Sequence, residues 1–172
     1  DDILVPNCVD LQINAFEHSN YKNLGVVYGN AALITEKGFF DSYYFEVNKD
    51  KKVVQKRITG DIYTSVLAGG NSVCSVSSMI KKSVFDVLGG YDESLAYEDL
   101  DFWIRASRIY DFDFIDEILI QKRIVSNSLG TKFYKKNNKI NHSTYLILKK
   151  AIRLNRSKVE NKAILKRIHF GM

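Results

Sequence analysis

Cysteine is scarce in this chain: Cys8 and Cys74 are the only two among 172 residues. That excludes a disulfide-built scaffold and leaves too few thiols for a cysteine zinc site. Both thiols suit a reducing cytoplasm. Histidine is scarce as well, and His18, His142 and His169 stand apart without ligand spacing. No apolar run approaches the ~20 residues a membrane-spanning helix needs. The first residues carry no basic stretch, so they do not read as a signal peptide. No Ser or Cys nucleophile motif, phosphate-binding loop, internal repeat or low-complexity segment occurs. What is present is ordinary: 45% hydrophobic and 26% charged residues in 19.7 kDa. Such a chain makes one domain, or one with a very small second, and buries a core without staples.

Charge is unevenly spread. Residues 1–130 hold 13 basic and 19 acidic residues, net −6. Residues 131–172 hold 12 basic residues and one acidic residue, Glu160, net +11. The body is therefore a poor nucleic-acid surface, since phosphate binding needs clustered positive charge. The basic segment suits phosphates, anionic lipid or an acidic partner, or is simply a solvated helical face.

Pattern places the elements. Pro6, the only proline, suits the first turn of a helix, and Val9, Ile13 and Phe16 follow at helical spacing over about Pro6–Glu17. Leu24–Thr35 reads as a buried strand interrupted near Gly29. Phe39–Val47 reads as a hairpin or long excursion, followed by a charged turn. Thr59 is placed to cap a helix over Asp61–Leu67 that Gly69-Gly70 close. Ser72–Ile80 alternates as a strand, and Lys81–Leu88 is a short helix stopped by Gly89-Gly90. Glu98–Tyr110 is the clearest helix, with Leu100, Trp103, Ile104 and Ile109 as its stripe and Asp101 with Arg105 as an i,i+4 ion pair. Phe112–Ile115 and Ile118–Ile124 read as strands parted by an Asp116-Glu117 turn. From about Lys139 to Phe170 the pattern is helical and basic, with a break around Asn155–Ser157. The strands from Val26, Val73 and Ile118 are expected in one sheet.

Four clusters could carry chemistry. Asp1-Asp2 ahead of a helix can hold a hard divalent cation, or simply end the chain as a solvated cap. Gly69-Gly70-Asn71 lets backbone approach a ligand, though glycines also just end helices. Glu98, Asp99 and Asp101 follow a tight turn at a helix start. A general base needs a carboxylate held rigidly, partly desolvated and near like charge. The plainer alternative is a capped helix with ion pairs. Gln121-Lys122-Arg123 at a strand end can meet a diphosphate, or serve as edge-strand charge.

In this order and spacing the clusters resemble the C-terminal part of the family-two glycosyltransferases, inverting enzymes that use nucleotide-sugars. The resemblance runs from Asp1 to about Ser128. Asp1-Asp2-Ile-Leu-Val-Pro looks like the end of that family's Asp-x-Asp-Asp motif. Val26-Val27-Tyr28-Gly29-Asn30, Ser78–Phe85 and Gly89-Gly90-Tyr91-Asp92-Glu93 resemble later pieces, and Glu98-Asp99 resembles its Glu-Asp before an amphipathic helix. Where the family often carries His two residues after an Arg like Arg123, this chain has Val125. The resemblance implies an α/β fold with a mixed sheet and packed helices, like the C-terminal half of a type A glycosyltransferase fold. Residues 1–130 would be the acceptor-side part, without the nucleotide-binding half, and residues 131–172 a basic helical extension. Such a fragment would be inactive alone.

By the same resemblance Asp99 is the general base, and Asp1 holds a divalent metal, Mg or Mn. Glu98, Gly70, Asn71 and Arg123 contact substrate. The donor would be a nucleotide-sugar and the acceptor a carbohydrate or a lipid-linked molecule. The implied location is the cytoplasm, at the inner face of the membrane through the basic segment, with a homodimer as a further option. A different class of reading is a non-catalytic binding domain whose basic segment docks on a membrane or an acidic partner. The two differ in geometry: an enzyme brings Asp1, Asp99 and Gly69–Asn71 to one cleft, and a docking module scatters them.

Overall fold

The structure, a computed structural model, describes residues 2–70, 72–126 and 139–171, with backbone alone for 170 and 171. Its elements in chain order are β1 (Ile3–Leu4), α1 (Cys8–His18), β2 (Leu24–Ile34), β3 (Phe40–Tyr43), α2 (Tyr63–Ala68), β4 (Ser78–Ile80), α3 (Lys82–Leu88), α4 (Glu98–Ser107), β5 (Asp111–Arg123), α5 (Lys139–Leu154) and α6 (Lys158–Gly171). The expected α/β fold with a mixed sheet is what forms. The strand order is β1-β5-β2-β3, with β4 also on β2. Among the described residues only β2 and β5 run parallel; the other pairings are antiparallel. β2 is central because LGVVYGNAALI is apolar on both faces, and most of it is fully buried.

Gly29 and Asn30 break the β2 pattern where expected. The register with β5 jumps from Gly29↔Ile115 to Asn30↔Ile118. The two expected strands are therefore one long strand, Asp111–Arg123, and Asp116-Glu117 is a bulge in it rather than a turn. The bulge is held from outside. Lys52 Nζ donates to Asp116 O at 2.9 Å and pairs with Glu117, and Val53 N donates to Asp116 Oδ1 at 2.9 Å. Gly29 is required here, since a Cβ would stand 2.6 Å from Leu119 Cδ1. Asn30 is buried and grips the next excursion: its amide donates to Phe45 O and accepts from Phe45 N, both at 2.8 Å.

Other expectations need correction. The expected strand over Ser72–Ile80 is one only at β4. Ser75–Ser77 is a single 3-10 turn, and Val73 is buried in the core outside the sheet. The cause is serine: the Ser77 hydroxyl donates to Gly29 O at 2.7 Å, so a side chain replaces a ladder bond. α2 starts at Tyr63, whose N–H is taken by Asp61 Oδ1 at 3.0 Å, while Thr59 hydrogen-bonds Tyr21 at 2.6 Å. On α1 the stripe points outward. Val9 and Ile13 are exposed, and Cys8 and Gln12 are buried because Gln12 Nε2 donates to Ser77 O at 2.9 Å. Ile109 lies beyond α4 and is exposed.

The main core lies on the other face of the sheet, with Tyr28, Phe112, Leu67, Phe102 and Trp103 at its centre. Helices α5 and α6 belong to it: Ile147, Leu148, Ala151, Ala163 and Ile164 are buried there. Full burial of such an aliphatic side chain contributes roughly 1.5–3 kcal/mol. The break between the two helices is a capping box. Ser157 Oγ accepts from Glu160 N at 3.2 Å, and Glu160 Oε2 accepts in return from Ser157 N at 3.2 Å. Glu160 also pairs with Arg108 at 2.9 Å, fastening α6 to the end of α4.

Candidate active site

α4 begins with Glu98 and Asp99 because three acidic residues, Asp101 included, favour the positive end of a helix dipole. The three carboxylates then diverge. Asp101 is buried and paired with Arg105 at 2.7 Å, as its spacing predicts, and with Lys150 at 3.3 Å. Glu98 faces solvent. Asp99 is partly buried and held at both oxygens. Ser75 Oγ donates to Oδ2 at 2.7 Å, and Leu100 N donates to Oδ1 at 2.7 Å. Trp103 Nε1 donates in turn to Ser75 Oγ at 3.3 Å, so the hydroxyl is aimed at the carboxylate. A hydrogen bond to a charged group contributes about 1.5–3 kcal/mol, enough to fix one rotamer.

Asp99 lines a cavity of about 70 Å³ together with Tyr44, Gly69, Tyr97, Trp103 and Arg167. One water occupies roughly 10–15 Å³ on this measure, so the cavity has room for about five heavy atoms. Gly69 ends α2 with φ +78, in the left-handed region, which turns the chain under the cavity. Burial pushes the Tyr44 phenol far above its ordinary range, with Asp99 among the neighbours that add to this. Burial likewise raises Tyr97, and the charge of Asp99 adds to it. Both phenols therefore stay protonated at the cavity wall.

Asp2 and Arg123 meet each other where β1 pairs with β5. Burial raises the Cys74 thiol, and the carboxylate of Asp2 is close enough to add to that rise. Cys74 in turn acts on Tyr44, which borders the cavity. Asp2 Oδ1 accepts from Arg123 N at 2.8 Å. The head of Arg123 turns away, donating to Thr35 O at 3.1 Å and Glu36 O at 2.9 Å, where it holds the turn after β2. Its neighbour Lys122 turns instead toward Tyr44, with Nζ 5.5 Å from the centre of the ring. Strand alternation was the signal for this: Lys122 shares a face with the core residue Ile120, and Arg123 does not. Gly70 adjoins the cavity rim through Gly69. Asp1 and Asn71 lie outside the described residues. Among the described residues no group of three or more His, Cys, Asp or Glu is placed to hold a metal.

Sequence reasoning missed Tyr44, Ser75 and Arg167. Ser75 sat inside a segment read as a strand, Tyr44 inside an aromatic excursion, and Arg167 inside a run of cations where nothing local singled it out.

No family model matches the chain. It is similar to an uncharacterized glycosyltransferase of Rickettsia typhi, 30% identical over 128 residues, which is 72% of this chain and 37% of that protein. An uncharacterized glycosyltransferase of Rickettsia prowazekii matches to the same extent. One from Rickettsia bellii is 27% identical over 166 residues, 96% of this chain and 23% of that protein. The chain is thus related to proteins named as glycosyltransferases, and it spans little more than a third of their length, or less.

Proposed function

We propose that this chain is the acceptor-side part of a nucleotide-sugar-dependent glycosyltransferase that inverts the anomeric centre, with Asp99 as general base. The acceptor oxygen attacks the anomeric carbon while the nucleoside diphosphate leaves from the opposite face. Asp99 takes the hydroxyl proton as that bond forms. The observation that carries this reading is the setting of Asp99: a carboxylate oriented by Ser75 and Leu100, partly desolvated, on the wall of a cavity. Glu98, Gly70 and Asn71 would be the accompanying substrate contacts; Arg123, whose head holds the turn after β2, would not reach the substrate. Asp1 would hold a divalent cation, Mg or Mn, which would offset charge on the leaving diphosphate. A cation of this kind commonly rests on one or two carboxylates plus substrate phosphates, so a sparse protein donor set fits it. The basic extension would touch anionic lipid at the membrane face.

The test is Asp99→Asn in the full-length protein, assayed by nucleoside diphosphate release across a panel of nucleotide-sugars. Asn keeps the size and the Leu100 contact but accepts no proton. Turnover should fall ~10²–10⁴-fold, with the melting temperature nearly unchanged. Near-normal turnover would show that the base is another group.

A further inference from the structure

Buried donors without partners are uncommon in folded proteins, because nothing offsets their lost hydration. Among the described residues three arginine atoms are of that kind: Arg57 Nε, Arg108 Nε and Arg167 Nη1. The first two belong to guanidinium groups engaged elsewhere. Arg57 donates to Ser72 O at 2.8 Å and stacks 4.0 Å from the Phe45 ring centre. Arg108 pairs with Glu160 and stacks 4.0 Å from the Tyr63 ring centre. Arg167 differs. Its Nη1 is buried without a hydrogen-bond partner among the described residues, and it borders the cavity that Asp99 borders. No ion pair joins the two. Burial raises the Tyr97 phenol, the charge of Asp99 adds to the rise and that of Arg167 opposes it, so both charges act on one hydroxyl at the cavity wall.

The placement is built. Arg167 follows Glu160 by seven residues, two helical turns, and so lies on the same face of α6. The Arg108–Glu160 pair fixes that face against the body. The guanidinium then lies over Gly69, where a Cβ would come within 3.8 Å of Nη1. Burial pulls the Arg167 pKa below its usual range, so this position costs stability that a ligand would restore.

We propose that Arg167 is a substrate-binding residue: with Gly69 and Tyr97 it forms a subsite for a small oxyanion, a carboxylate or phosphate carried by the acceptor. The proposal rests on Asp99 as the base. If the acceptor hydroxyl meets Asp99, a cavity of about 70 Å³ admits only groups a few bonds from that hydroxyl, so the anion belongs to the same molecule. A planar guanidinium suits such a group, because its fork can bind two oxygens of one carboxylate or phosphate at once.

The test uses the full-length protein and its Arg167→Met, Arg167→Lys and Asp99→Asn variants. Inorganic phosphate, acetate and neutral glucose are titrated by calorimetry, and each variant is melted. One of the two anions should bind at one site, and glucose should not. Arg167→Met should weaken that binding at least tenfold while melting no lower than the wild type, because a burdened charge is gone. A purely structural arginine would give the opposite, a lower melting temperature. Arg167→Lys should keep part of the affinity. Asp99→Asn should bind the anion at least as well, since a like charge is removed. Unchanged anion affinity in Arg167→Met overturns the subsite, whatever Asp99→Asn does to turnover. A tenfold loss in Arg167→Met beside full turnover in Asp99→Asn leaves an anion site but removes the base, and with it the acceptor assignment. Displacement of the anion by a nucleoside diphosphate alone also overturns that assignment, because the group would then be the donor's.

Discussion

Glu160 is the one acidic residue of the basic extension, and replacing it by Gln tests how that extension is held. The side chain is 11% exposed. It accepts from Arg108 Nη1 at 2.9 Å, from Ser157 N at 3.2 Å and from Arg156 N. Burial alone would raise its proton affinity, but Arg108 and the two backbone N–H groups outweigh that and hold its pKa below the usual range. Gln keeps the shape and one acceptor oxygen but removes the charge. Arg108, whose Nε already lacks a partner, is then left uncompensated. Breaking a buried pair costs about 3–5 kcal/mol, and partial exposure of both groups argues for the lower end. At roughly 2–4 °C per kcal/mol for a chain of this size, Glu160→Gln should melt about 6–12 °C lower. Differential scanning calorimetry reads this directly. The double variant Arg108→Leu with Glu160→Gln should recover part of the loss, because the orphaned charge is gone. A single variant within about 1 °C of the wild type refutes the reasoning, since α6 would then be held by its apolar contacts alone.

Two further outcomes follow from the same contacts. Asp101→Asn leaves Arg105 and Lys150 short of a buried partner and should cost about 3 kcal/mol in denaturant unfolding, yet each folded molecule should turn over normally. The hydrogen bond from Lys150, with help from Ser94, lowers the Asp92 pKa to about 2. A depressed carboxylate stabilises the fold above its unfolded pKa, here 3.8, and that stability is lost as pH falls from about 4 towards 2. Melting against pH should therefore be flatter over that window in Asp92→Asn, and an unchanged acid limb would disprove the linkage.

The helices with strong periodicity were legible because their signals are local. Glycines 89 and 90 stop α3, acidic residues start α4, and Asp101 meets Arg105 one turn on. The β2 interruption was legible from Gly29 alone. What failed depended on partners distant in sequence. Asp116-Glu117 reads as a turn until Lys52, 64 residues earlier, is seen to hold it in a strand. Val9 and Ile13 make a good apolar stripe, but Gln12 has a carbonyl to reach at Ser77, and that bond rotates the helix. The site divides the same way. Asp99 and Gly69 were visible as a carboxylate at a helix start and a glycine at a helix end. Ser75 and Arg167 acquire meaning only when a 3-10 turn and the last helix come to that carboxylate's cavity.

The net +11 of residues 131–172 splits into two populations with different physics. A few charges point inward: Lys150 meets Asp92 and Asp101, and Arg167 reaches the cavity. Only the contact of Lys150 with the buried Asp101 carboxylate and the buried Arg167 head are shielded from salt; the Lys150–Asp92 pair lies near the surface. Others, such as Lys149, Arg153, Lys158 and Lys162, are exposed, and apolar Ile152 and Val159 stand exposed among them. Among the described residues no helix is long and apolar enough to cross a membrane, so any lipid contact through these helices is at the surface. Exposed cations near anionic lipid contribute about 1 kcal/mol each and are screened beyond ~10 Å at 0.1 M salt. Flotation with vesicles should therefore recover the protein on anionic lipid at low salt, lose it at several hundred millimolar salt, and never recover it on neutral lipid. The melting temperature measured across the same salt series should stay level, because the partly buried Arg108–Glu160 pair and the apolar contacts of α5 and α6 hold the extension in place. If melting and lipid binding fall together, the two populations are one, and the outward face has no role separate from docking the helices.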